Sequence, residues 1–229
     1  MIIDYGDFTK ASNIIHWLQG GALLALGASE AYAVDNKSKK TALAAALLLV
    51  LSGAGMFAAV LALPGGWSFE QLSTALQIRR GFYLIIAFAC LYAAAGLCRL
   101  THEALERVGG GWQALFLALL AFSGVLYFTI AWRVNEEAWR QVLVWHAAIG
   151  STLLLAVAAR AADVFLPRRA LRLAWAVLLM ITGLQLVSYK ETPDAFAPRL
   201  VTVESVPQVP MRSLPLKNAK PADKKRPGN

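Results

Sequence analysis

Two histidines, His16 and His146, open the same short pattern, HWLQGGALLALG and HAAIGSTLLLAV. Each is followed four residues on by glycine, Gly20 and Gly150, and at one common interval by a hydroxyl–glycine step, Ser52-Gly53 and Thr182-Gly183. Residues four apart share a helical face, so each imidazole has a bare patch of backbone one turn away. An imidazole on either side of a haem iron fills both axial positions and leaves none for substrate, which is the arrangement of an electron carrier. Glycine one turn along leaves room for the flat ring. Arg79, Arg80, Arg133 and Arg140 fall at the same end of their segments as the histidines, and guanidinium is a bidentate partner for propionates. No cysteine or methionine stands at that level to complete a copper site.

The expectation is therefore a cytochrome b-like subunit with one b-type haem between His16 and His146. It would pass electrons between a quinone pool and a partner redox subunit. Trp17 and Trp145 flank the histidines and read as membrane-interface residues. The competing reading makes the histidines helix contacts and the chain a non-catalytic scaffold or accessory subunit of a multiprotein envelope complex.

The elements that would position these residues are apolar helices. The chain has 229 residues, 58% of them hydrophobic, too apolar for an ordinary soluble domain. Six apolar runs, near 12–34, 41–63, 81–98, 112–132, 140–160 and 171–189, each approach the ~20 residues that cross a bilayer. Backbone in lipid must satisfy itself, so these runs read as helices. The expected fold is all-α, a six-helix transmembrane domain over residues 1–190 followed by an extended tail over 191–229.

The even runs each carry a [Ser/Thr]-Gly step, at Ser52-Gly53, Ser123-Gly124 and Thr182-Gly183. Such steps let helices approach closely, with the hydroxyl bonding back to its own helix. They divide the runs into three hairpin repeats. The middle repeat lacks the histidine: counting back from Ser123 by the common interval reaches Ala87. Between the second and third runs, Ser68 with Gln71 resembles a capping box, and Phe69, Leu72 and Leu76 share one face of a short interfacial helix. Cys90 and Cys98 read as small core residues, and His102 as a solvated loop residue on the opposite side of the membrane from the other two histidines.

The acidic, polar N-terminus does not read as a signal peptide. Connections after runs one, three and five carry nine basic residues against seven on the other side. Basic residues favour the cytoplasmic side, which puts both termini outside, across a bacterial inner membrane. The Pro- and Lys-rich tail cannot fold alone, and is expected to contact partner subunits. The net charge of +8 is too dilute and too poor in interleaved aromatics for nucleic acid. No paired carboxylates, Ser-His-Asp set or HExxH motif points to hydrolysis, and no mid-depth charge points to ion transport.

Overall fold

A computed structural model describes residues 4–36, 38–105, 111–193 and 195–197. They form seven α-helices and no strand: α1 (Tyr5–Ala33), α2 (Lys39–Ala62), α3 (Phe69–Ile78), α4 (Tyr83–Ala104), α5 (Gly111–Tyr127), α6 (Glu136–Phe165) and α7 (Arg169–Ser188). Two 3-10 turns, Arg80–Phe82 and Ile130–Arg133, precede α4 and α6. Four segments, α2, Arg80–Ala104, α6 and α7, are long and apolar enough to cross a membrane, which marks this as a membrane protein. α5 is apolar but only 17 residues long. The fourth expected run thus stops short as a helix at Tyr127 and continues through the Ile130–Arg133 turn. The expected tail from Arg199 onward, with Pro198, lies outside the described residues.

The helix starts follow local chemistry. Asp4, Ser38, Ser68 and Asn135 each accept a hydrogen bond from a backbone N–H of the first turn of the helix they precede, satisfying donors that the helix leaves unpaired. The Ser68 cap sets α3 as expected. Its buried face, however, is Leu72, Ala75 and Leu76, while Phe69 is exposed. Phe69 sits in the first turn, before α3 reaches the bundle.

The six longer helices close into a ring: α1 packs on α2, α2 on α4, α4 on α5, α5 on α6, α6 on α7, and α7 on α1. Three of these interfaces are built on glycine. A Cβ on Gly183 of α7 would lie 2.7 Å from the Gly20 carbonyl oxygen of α1; one on Gly53 of α2 would lie 2.5 Å from the Ala89 oxygen of α4. Gly124 of α5 faces Gly150 and Leu154 of α6 in the same way. The hydroxyls beside two of these glycines bond back to their own helices, Ser123 to Leu119 and Thr182 to Leu178. Lipid supplies no hydrophobic drive between helices, so contacts this close gain their stability from van der Waals packing.

These contacts put Gly20, Ala89 and Gly150 at matching places. One turn back from each stand His16, Ile85 and His146. The middle position is therefore Ile85 by packing, two residues from the Ala87 reached by counting. Cys98 is buried and Cys90 exposed, so only one cysteine belongs to the core.

Candidate functional site

His16 lies on α1 and His146 on α6, two helices that are not ring neighbours; α7 stands between them. Their side chains meet in the interior, 3% and 0% exposed. The Nε2 atoms are 3.4 Å apart and the ring centroids 5.5 Å, so the imidazoles point at each other tip to tip. His146 Nδ1 lies 2.8 Å from the Val142 carbonyl oxygen. A carbonyl only accepts, so Nδ1 carries the proton and Nε2 presents its lone pair. His16 Nε2–H then donates to it, and His16 Nδ1 is buried without a protein partner.

Tyr189, the residue that ends α7, is wedged beside this pair. Its ring meets both imidazoles edge-on, with centroids 4.9 Å from each. One turn deeper on α1, Gln19 accepts a hydrogen bond from Tyr127, whose hydroxyl is 3.2 Å from that of Tyr92. All three are buried. The histidines thus belong to a polar column inside an otherwise apolar ring.

Above the pair, buried Arg133 forms an ion pair with buried Glu191. Ser12 joins them, accepting from Arg133 at 3.0 Å and donating to Glu191 at 2.9 Å. Tyr189 donates its hydroxyl to the second Glu191 oxygen at 2.9 Å, and the Glu191 backbone N–H donates to Asn13. Both carboxylate oxygens are therefore occupied, as a buried charge requires. Burial works to raise the Glu191 pKa, but Arg133, with the Ser12 and Tyr189 hydroxyls, outweighs it and holds the group below the usual carboxylate range.

The strap continues from Glu191. Thr9 donates to the Pro193 carbonyl and Asn135 N–H to the Ala195 carbonyl. Phe196 is fully buried against Phe8 and Phe82, with the Arg133 guanidinium 5.1 Å from its ring centroid. Sequence reasoning assigned Glu191 and Phe196 to the extended tail. An aromatic residue among prolines, in YKETPDAFAP, was the available signal that this stretch has something to bury.

The other expected site residues divide. Gly20 is filled by Gly183 and Val187 of α7, and Gly150 by Gly124, Tyr127 and Phe128. Both glycines serve helix contacts and leave no open cradle for a flat ring. Arg79, Arg80 and Arg133 come together around one cavity with Gln77, Gly81 and Trp132; Arg140 is exposed on α6 and is not part of that lining. Trp17 and Trp145 are exposed, and Trp145 also touches Tyr189. His102 is in the last turn of α4, half-buried beside Gln113 in an apolar cavity of about 400 Å³, so it is not a solvated loop residue. At that end Arg99 is held by Glu30, Glu103 and Gln113 at 2.6–2.8 Å. Among the described residues no three His, Cys, Asp or Glu side chains gather as a metal site.

No family model matches the chain, and no curated protein or solved structure is matched by it.

Proposed function

We propose that the chain is a membrane electron-transfer subunit in which His16 and His146 are the axial ligands of one b-type haem. The observation that carries the reading is the tip-to-tip meeting of two buried imidazoles from non-neighbouring helices. His16 and His146, with Nε2 atoms 3.4 Å apart, are the two residues that would hold the group. The Nδ1 of His146 is anchored on a carbonyl, the support that ligating histidines use to fix ring and tautomer. A bound haem would supply one-electron transfer with both axial positions filled.

The donor pair fits this group; the plane around it is closed. The Tyr189 ring stands beside the line between the imidazoles, where a porphyrin would extend. A group held by His16 and His146 would have to take the space of the Tyr189 ring, and Arg133 would be the buried cation near it. The chain's own task is to hold two imidazoles, keep water from them and supply that cation.

Six spans in three hairpins, across a bacterial inner membrane with both termini outside, belong to the same proposal, as do exchange with a quinone pool and contact of the tail with a partner. The closed ring, with a glycine contact at every second interface, supports the three hairpins alone. A second reading, a non-catalytic scaffold of an envelope complex, is favoured by one observation: Gly20 and Gly150 are spent on helix packing.

The test is a reduced-minus-oxidised visible spectrum of detergent-purified protein from haem-supplied cells. A b-type band, lost in His16→Ala and in His146→Ala, is expected. A featureless spectrum under these conditions overturns the haem reading and leaves the scaffold.

A further inference from the structure

The end of the molecule that carries the strap also holds a cavity of about 300 Å³, lined by Gln77, Ile78, Arg79, Arg80, Gly81, Trp132, Arg133 and Val134. Its walls are two short turns, Arg80–Phe82 and Ile130–Arg133. A Cβ on Gly81 would collide with the Arg133 Cβ, so the two turns are pressed together and the cavity walls are fixed.

Three arginines line this space, and two of them, Arg79 and Arg133, carry an Nε without a partner among the described residues. Arg133 has a side chain only 2% exposed. Its terminal nitrogens are used by Ser12 and Glu191, yet its Nε is buried without a partner. Arg79 lies over the Tyr5 ring at 5.1 Å, and its Nε is likewise buried and unpartnered. Buried donors left without acceptors are costly, and Arg99, Arg160 and Arg172 carry an Nε without a hydrogen bond as well. Glu191 neutralises Arg133, and among the described residues no carboxylate lines the cavity. Arg79 and Arg80 therefore have no carboxylate among the described residues that line the cavity.

We propose that this cavity is an oxyanion site for a phosphate group, from a lipid headgroup or free in solution. Guanidinium offers the planar donor pairs that phosphate oxygens accept. The proposal does not rest on the haem reading: Arg79 and Arg80 carry it whether or not the histidine pair holds a metal.

Binding to the full chain in detergent tests it, by calorimetry and native mass spectrometry with three probes: short-chain phosphatidylglycerol, inorganic phosphate, and a diacylglycerol of matched chain length. The phospholipid binds the wild type. Arg80→Gln, at an exposed position that the bundle does not need, weakens it by about tenfold or more, as loss of a charge-assisted contact implies; Arg79→Gln does the same. Competition by inorganic phosphate identifies a site for the free ion. Lipid binding that phosphate does not displace identifies a headgroup site. Equal binding of the diacylglycerol, equal affinity in both arginine variants, or no binding of any probe overturns the proposal.

Discussion

At the residue scale the strongest constraint is the ion pair of Arg133 and Glu191, because neither charge has an alternative partner in water. Removing one partner of a buried pair typically costs about 3–5 kcal/mol, since the other is left uncompensated. Glu191→Gln should therefore lower the thermal midpoint of the purified protein clearly, and more than loss of the exposed Lys10–Asp7 pair, which is worth well under that. The pH dependence has a definite sign. Glu191 has its pKa depressed in the folded chain, so its contribution is complete above the ordinary carboxylate range and is lost as pH falls through the lower, folded value. The stability gap between wild type and Glu191→Gln should thus be constant near neutrality and close in acid. A gap that widens in acid would contradict this electrostatic account. Glu191 itself was not legible in the sequence: a single acidic residue after the last apolar run has the composition of a tail, and only the position of Arg133 in space makes it an internal counter-ion.

At the scale of elements, neighbouring glycines are expected to behave in opposite ways. A Cβ on Gly20 meets the Gly183 carbonyl oxygen at 2.6 Å, whereas one on Gly21 meets nothing within 4 Å. Gly20→Ala should cost about 1–3 kcal/mol by forcing α1 and α7 apart. Gly21→Ala should be neutral or stabilising by about 0.5–1 kcal/mol, because alanine loses less backbone entropy in a helix. Chemical denaturation of the two variants in one detergent checks the contrast. A second expectation concerns the strap. Tyr189→Ala should raise haem occupancy relative to wild type in the haem-loading spectrum, because it clears the space beside the imidazoles; lower occupancy would mean that Tyr189 supports the ligand pair instead of blocking it. The helices were readable as apolar runs, but several ends were not: α1 and α6 begin at Tyr5 and Glu136, ahead of the expected 12 and 140, because polar first turns capped by Asp4 and Asn135 precede the apolar stretch. The hydroxyl–glycine steps were readable as packing devices too. Which helix each one meets was not, because that choice depends on the order of the ring: Gly183 meets α1, from the far end of the chain, and this is how Gly20 came to be filled by a helix where the sequence allowed a cofactor.

For the whole molecule, the described chain ends at Ala197, just after Phe196 packs among Phe8 and Phe82. A chain stopped after Ala197 keeps the Glu191 and Phe196 contacts and is the reference. One stopped after Lys190 should lose several kcal/mol, on the order of the cost of leaving Arg133 buried and unpaired; equal stability of the two would show that the strap only rests on the bundle. The ring also has a consequence in time. Its closing contact, α7 on α1, joins the two ends of the helical chain and is the last that synthesis can supply. His16 and His146 are both made well before Tyr189 and Glu191. At about 5–20 residues per second, the stretch from the end of α6 to Phe196 takes roughly 2–6 s to emerge. During that interval the nascent chain already has both imidazoles and does not yet have the residues that close over them.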